Sequence, residues 1–222
     1  MSKNQIPILT IDVVYFTVIN CELYVLVIKR YKDPFNGKWA LPGGYVHCDE
    51  DDSMLETALR VIKSKSKVKP NYIEQVETIA GNQRDPRGWS ATVLFVALVN
   101  EERVKDSTDN AMWVRLPDLN DFELAFDHEL LIRKAHERVV SKSRYTSMPL
   151  YFVPDKFTLT EAQGSFEITT NLTLEKKSFR RRLQDANIIE ETSELSTTGK
   201  RRAALFRLRK NQQLHFFPRM LG

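Results

Sequence analysis

The 222-residue sequence contains two cysteines, four histidines and no apolar run that approaches the ~20 residues a membrane-spanning helix requires. Cys21 and Cys48 cannot make a disulfide framework or a zinc site by themselves, so Cys48 is expected to be a buried or idle thiol. Met1 to Asp12 lacks the basic n-region and long apolar h-region of a secretory signal. The expected location is therefore the cytoplasm, with no membrane partner. His128 and His136 lie eight residues apart in one helical pattern, too far to share a metal ion, and are read as structural or solvated.

What is present is the composition of a soluble globular protein, 42% hydrophobic and 28% charged, long enough for one large or two smaller domains. The net charge of +4 is unevenly divided. Residues 148–222 carry 13 Lys/Arg against 8 Asp/Glu, whereas residues 1–147 carry 20 against 21. Positive charge concentrated on a small C-terminal domain is the electrostatic footprint of a nucleic-acid partner.

The chain is organised around residues 39–67, WALPGGYVHCDEDDSMLETALRVIKSKSK. A Leu-Pro-Gly-Gly turn and an acidic loop, Asp49 to Asp52, precede a helix that is expected to open on a capping box. Ser53 would accept from the Glu56 N–H and the Glu56 carboxylate would reach back to the N–H of Ser53. Leu55, Ala58, Leu59 and Ile62 fall at i, i+3, i+4 and i+7 and predict the buried stripe.

The stretch resembles the Nudix box, with Arg60 on the family arginine and Ile62 and Val68 on its apolar positions. The three acidic positions after that arginine hold Val61, Ser64 and Lys65, and the late glycine is Lys67. Upstream the match needs two extra residues, since Glu50 is correctly spaced from Gly44 but Asp52 from Arg60. Hydrolysing a pyrophosphate requires a hard divalent cation held by carboxylate oxygens. This helix would deliver an apolar group, a hydroxyl and an ammonium instead. A Nudix fold that binds without cleaving is expected, with no metal and no catalytic residue.

Flanking residues supply the strands such a fold needs. Ile8 to Val18 and Leu23 to Ile28 predict two strands joined by a turn at Asn20-Cys21-Glu22, and Lys29, Arg30 and Lys32 follow them towards the Gly-Gly loop. Tyr72 to Ile79 and Trp89 to Leu98 predict two more. Between these lie Arg84, Asp85 and Arg87, in a turn built by Pro86 and Gly88; guanidinium forks suit bidentate contact with phosphate. Met112 to Leu116 predicts a strand, Leu116 to Leu119 a turn, and Phe126-Asp127-His128 the start of a helix through Lys142. On it Leu130, Leu131, Lys134, Ala135, Arg138 and Val139 form one stripe. Ser141 to Asp155, with Pro149 and Pro154, reads as the connection to a second domain.

Beyond it, Thr158 to Glu161 is another capping box, opening a helix through about Thr169. Thr173 is the expected N-cap of a helix from Leu174 to Ala186 whose apolar stripe is Phe179, Leu183 and Ala186, with Lys177, Arg181 and Gln184 opposite and Lys176 and Arg180 beside them. A short helix, a turn and a basic amphipathic helix make a helix-turn-helix with its second helix poised for the major groove. Ile188 to Thr192 and Ala203 to Lys210 predict two strands, and the loop between them holds Thr197, Thr198, Gly199, Lys200, Arg201 and Arg202 as a basic wing. Residues 176–210 hold 11 Lys/Arg against 4 acids. The expected DNA contacts are Thr173, Lys176, Lys177, Ser178, Arg180, Arg181, Gln184, Thr198, Lys200, Arg201 and Arg202. Residues 211–222 show no readable pattern.

WALPGGYV, QRDPRGWSATVLFVAL, FTLTEAQ, and KKSFRRRLQDANIIEET followed by GKRRAALFRLRK together resemble the NrtR family, Nudix-related transcriptional regulators of NAD metabolism, over about residues 8–210. The resemblance implies an α/β Nudix domain, an α-β-α sandwich, followed by a C-terminal winged helix-turn-helix. Residues 1–147 would sense ligand and dimerise, and residues 148–222 would bind a palindromic operator of NAD biosynthesis or salvage genes as a homodimer. It implies ADP-ribose as the antirepressor, with no cofactor required, at Arg30, Trp39, Gly43, Gly44, Arg60, Lys65, Arg84, Asp85 and Arg87. Two other readings stand beside it. One is a working Nudix hydrolase of ADP-ribose or a related nucleoside diphosphate, using Asp49 to Asp52 and Glu56 as an irregular metal site; the other is a sister regulator that senses a sugar such as arabinose.

Overall fold

Strand β1, Ile8–Ile19, runs through the centre of the N-terminal half, and its residues are buried on both faces: Ile11, Val13 and Tyr15 on one, Val14 and Phe16 on the other. A strand covered on both sides reads as a continuous apolar run, and β6, Ser90–Leu98, is built the same way and pairs with it in parallel. The computed structural model describes residues 6–197, 202–210 and 213–220. Thr198, Lys200 and Arg201 of the expected wing lie outside the described residues.

By its internal contacts the chain divides into two units, the first of Met1–Thr17, Tyr24–Val99 and Arg103–His136, the second of Val18–Leu23, Asn100–Glu102 and Glu137–Gly222. In the sheet of the first, β2 (Glu22–Lys29), β3 (Trp39–Ala40) and β5 (Tyr72–Gly81) join β1 and β6 in the order β3-β2-β1-β6-β5. Two short strands extend it: β4 (Gly43–Tyr45) pairs with β1, and β7 (Ala111–Arg115) with β2. The turn between β1 and β2 places Asn20 and Cys21 at φ 50° and 63°, the left-handed pair a two-residue hairpin requires. Both cysteines are exposed and free, which excludes the buried alternative for Cys48, expected as a buried or idle thiol.

Helix α1, Met54–Lys65, covers one sheet face, and two details of its expected geometry change. Ser53 does cap it, accepting from the Glu56 N–H at 3.2 Å, but the Glu56 carboxylate accepts from the N–H of Asp52 at 2.9 Å, so the box closes one residue early. The buried face is Thr57, Ala58, Val61 and Ile62, while Leu55 and Leu59 remain 45% and 44% exposed. Val61 decides this. A Cβ on Gly44 would stand 3.0 Å from its methyl, so Val61 seals helix to loop and turns the stripe by about one residue. The helix ends with Lys67 at φ 61°, left-handed where the Nudix pattern has glycine. The backbone shape of the box therefore survives at a cost of ~1–2 kcal/mol for a side chain in that region.

Helix α2, His128–Ser143, follows a 3-10 turn at Leu116–Asp121 where a simple turn was expected, and buries Leu131, Ile132 and Ala135 in the first unit.

In the second unit the stretch expected as a connection is part of the core. Met148–Tyr151 is a 3-10 turn with Met148, Leu150, Phe152 and Val153 buried, because the prolines that suggested a linker instead fix a compact turn. Helix α3, Leu159–Thr170, has the full capping box at Thr158 and Glu161. Helix α4, Lys176–Asp185, is capped by Glu175 rather than Thr173: its carboxylate accepts from the N–H groups of Lys177 at 2.9 Å and Ser178 at 2.7 Å. A carboxylate satisfies two orphan donors and opposes the positive helix end. Strands β8 (Ile189–Leu195) and β9 (Ala204–Leu208) form an antiparallel hairpin, and Phe206 and Leu208 pack on a core that includes Phe157, Phe166, Phe179 and Leu183.

Candidate functional site

Pairing of β4 with β1 sets Gly43 opposite Asp12 and Gly44 opposite Ile11. Only glycine fits at 43, where a Cβ would stand 2.1 Å from the Asp12 carboxylate. Beside this close approach lies a cavity of about 740 Å3 within the first unit, lined by the ends of β1 and β2, the Gly-Gly loop, α1, the turn at residues 84–87 and the start of α2. Such a volume lies in the ~300–1,000 Å3 range of small-molecule sites. Its wall holds seven cations (Lys29, Arg30, Lys32, Arg60, Lys65, Arg84, Arg87) against three carboxylates, Asp12, Asp33 and Asp85.

Three of those cations already hold an internal carboxylate. Arg84 grips Asp127 through two bonds of 3.0 Å, and Arg87 grips Asp85 at 2.9 and 2.6 Å. Arg60 grips Asp51 at 2.7 and 2.6 Å and donates to the Tyr45 carbonyl at 2.8 Å, which ties the acidic loop down onto α1. Its guanidinium, with the His47 N–H and the Thr57 hydroxyl, holds the Asp51 carboxyl well below the usual carboxylate range. Arg30 and Lys65 form no ion pair among the described residues. Arg30 donates to the carbonyls of Pro34 and Lys32 and lies 4.8 Å from the Phe126 ring centre. Arg87 stands 5.4 and 5.7 Å from the rings of Tyr45 and Phe126 and bonds to the Tyr45 hydroxyl, making one guanidinium–aromatic stack at the cavity.

Deeper in, Asp12 accepts from the Thr92 hydroxyl at 2.8 Å. Burial pushes its carboxyl up, opposed by that bond and by Arg84. His128 accepts the Leu41 N–H at Nδ1, 2.9 Å, so in the neutral ring Nε2 carries the proton, 3.6 Å from Asp12 Oδ1.

The second unit presents a different surface. On α4 Lys176, Lys177, Ser178, Arg181 and Gln184 are exposed, Arg180 is half-buried, and Phe179 and Leu183 face the core. Thr173, just before the helix, and Arg202, just before β9, are exposed as well.

Comparison with known proteins covers both surfaces. Residues 9–135 match the NUDIX domain and residues 149–208 the NrtR DNA-binding winged helix domain. The ADPR responsive transcriptional repressor NtrR of Acinetobacter baylyi is 40% identical over 219 residues, 97% of this chain and 87% of that protein. The chain belongs to the NrtR family. The crystal structure of Shewanella oneidensis NrtR complexed with a 27mer DNA matches with a TM-score of 0.88 at 36% identity, over 96% of this chain and 99% of that one. The Nudix domain of Shewanella oneidensis NrtR complexed with ADP ribose matches with a TM-score of 0.55 at 40% identity, over 60% of this chain and 89% of that one.

In this NrtR-family chain the residues at the Nudix metal positions do not fit a hard cation. Val61 is buried against Gly44, the Ser64 hydroxyl donates to the Val61 carbonyl at 3.1 Å, and Lys65 brings an ammonium to the cavity. Among the described residues no three His, Cys, Asp or Glu side chains stand together as a metal-holding group.

Of the residues expected to bind ligand, Arg30, Gly43, Gly44, Arg60, Lys65, Arg84, Asp85 and Arg87 line the cavity. Trp39 does not. It packs on Phe122 with ring centres 6.3 Å apart, and the Lys29 ammonium lies 4.8 Å over it. Asp12, Tyr45 and Phe126 line the cavity too and were not among the expected site residues; His128, read as structural, is buried at its wall and accepts the Leu41 N–H. Asp12 alone left a signal, a charged residue inside a β-branched and aromatic strand.

Burial pushes the His128 imidazole down to about 3, with Arg84 and Arg30 acting in the same direction and Asp127 against it. The folded state thus keeps His128 neutral, while the unfolded chain takes up a proton near pH ~6.5. The stability this gives is present above that pH and is lost as pH falls towards about 3. Thermal melts between pH 7 and 4.5 are expected to lose up to ~1.4 kcal/mol per pH unit from this group. His128→Gln keeps an acceptor for the Leu41 N–H and should flatten the slope; identical slopes would assign the loss to another group.

Proposed function

We propose that the protein is an ADP-ribose-responsive transcriptional repressor that acts as a homodimer in the cytoplasm, on a palindromic operator of NAD biosynthesis or salvage genes. Residues 1–147 sense the ligand and dimerise, and residues 148–222 bind DNA. The observation that carries the reading is the pairing, in one chain, of a cation-lined cavity with no metal-holding carboxylate group among the described residues and a winged helix that exposes Lys177, Arg181 and Gln184 on one face. The relative from Acinetobacter baylyi, similar over 97% of this chain, supports it.

The protein is not a hydrolase in this reading. Asp51, the most enclosed acid of the loop, is spent on Arg60, and Glu56 is spent on the Asp52 N–H. The excess of cations in the cavity favours a phosphorylated ligand over a neutral sugar.

The DNA surface can be tested residue by residue on a duplex that the unmodified protein selects from a random pool. Arg181→Ala is expected to weaken that duplex by ~1–3 kcal/mol and to relax sequence preference, since Arg181 faces the base edges. Arg202→Ala, as a wing contact to phosphate, should weaken selected and random duplexes alike and reduce the log–log salt slope by about 1. Equal losses on both duplexes for Arg181→Ala would put the wrong helix in the groove.

A further inference from the structure

Residues 213–220, within the stretch that carries no readable sequence pattern, are built into the second unit. Phe217 is buried in the core with Phe166, Phe179 and Leu183, its ring 6.3 Å from that of Phe166. Its N–H donates to the Tyr145 carbonyl at 2.8 Å. One residue pair further on, the Ser147 N–H donates to the His215 carbonyl at 2.9 Å and the His215 N–H donates to Ser147 Oγ at 3.0 Å.

From that anchor the segment reaches the recognition helix. Arg182 donates from Nη2 to the Met220 carbonyl at 3.1 Å, and its guanidinium carbon lies 5.4 Å from the Phe217 ring centre. Nη1 is enclosed and without a hydrogen-bond partner. In the run Arg180-Arg181-Arg182 on a basic helix, every arginine would read as a DNA contact. Arg182 is instead turned back onto its own unit, about 100° around the helix from Arg181.

We propose that residues 215–220 clamp α4 through Arg182, fixing the rotation of the helix so that Lys177, Arg181 and Gln184 are presented to base edges together. Arg182 is then a positioning residue, and residues beyond the winged-helix match at 149–208 belong to the DNA-reading apparatus. The clamp rests on the DNA-binding reading above. Random DNA, held through phosphates by flexible side chains, tolerates a helix free to rotate; base readout does not.

The test uses the selected duplex and a random one of equal length, with Arg182→Met and a chain ending at Pro218. Melting curves of both variants verify folding. Arg182→Met is expected to bind the selected duplex about tenfold more weakly, the effect of losing one charge-assisted hydrogen bond. Its random-duplex affinity and salt slope should stay unchanged. The shortened chain, lacking the Met220 acceptor, should lose selected-duplex affinity to the same extent, and adding Arg182→Met to it should lose nothing more. Loss on both duplexes with a slope reduced by about 1 would make Arg182 a phosphate contact and overturn the clamp. Unchanged binding of the selected duplex in either variant would overturn it too. Failure of the unmodified protein to select any duplex is a separate result that overturns the DNA-binding reading itself.

Discussion

Incubated with ADP-ribose and Mg2+ or Mn2+, the protein is expected to release no AMP. Enzymes turn over at ~1–1000 per second, and the chemistry behind such rates in pyrophosphate hydrolysis is a metal-activated water held by carboxylates. Here the three helix positions carry Val61, Ser64 and Lys65. Val61 is buried against Gly44, so no carboxylate fits there without opening the seal between helix and loop. Lys65 has a second consequence. With Arg84, Arg87 and Arg60 each committed to an internal carboxylate, Lys65 is one of four cavity cations, with Lys29, Arg30 and Lys32, left to offset a diphosphate. ADP-ribose binding should therefore survive EDTA, and Lys65→Glu should weaken it on the order of tenfold, the scale of a charge reversal at a solvated site. AMP followed by chromatography and affinity by calorimetry check both halves. Turnover near enzymatic rates would restore the hydrolase reading, and loss of binding on chelation would remove the metal-free one.

Saturating operator is expected to weaken ADP-ribose binding by 5- to 150-fold, the span of a ~1–3 kcal/mol coupling. A ligand releases DNA only if it binds the DNA-free arrangement more tightly, because equal affinity for both shifts nothing. Linkage makes the effect reciprocal, so ADP-ribose must weaken operator binding by the same factor. A dimer placing two winged helices on one duplex face needs half-sites about one turn, ~34 Å, or a multiple of it apart, which requires the palindrome. Anisotropy and calorimetry in one buffer at one salt concentration give both affinities. An ADP-ribose affinity indifferent to operator would exclude antirepression by this ligand.

Much of this was legible in local sequence because local physics produced it. The longer strands, the Thr158–Glu161 box and the buried face of Phe179 and Leu183 follow from period and capping alone, whereas β3 and β4 at the Gly-Gly turn do not. Where two local solutions were equally good, the sequence could not choose between them. On α1 both the Leu55–Leu59 stripe and the Thr57–Val61 stripe have helical spacing, and the contact of Val61 with Gly44 of β4 goes with the second. Ahead of α4, Thr173 was the expected cap, and a helix that starts two residues later places the Glu175 carboxylate there instead.

By itself the sequence determined the long strands and the α-helices, the Val61, Ser64 and Lys65 side chains carried by α1, and which third of the chain is basic, since each is a property of residues close together in the chain. The tertiary structure decided which charges are free. Asp51 with Arg60, Asp85 with Arg87 and Asp127 with Arg84 neutralise one another at the cavity. Two of these pairs join residues nine and 43 positions apart. Asp12 meets Thr92 across 80 positions, and His128 meets the Leu41 N–H across 87. A charge's partner is set by the fold that closes the distance, and no local spacing encodes it.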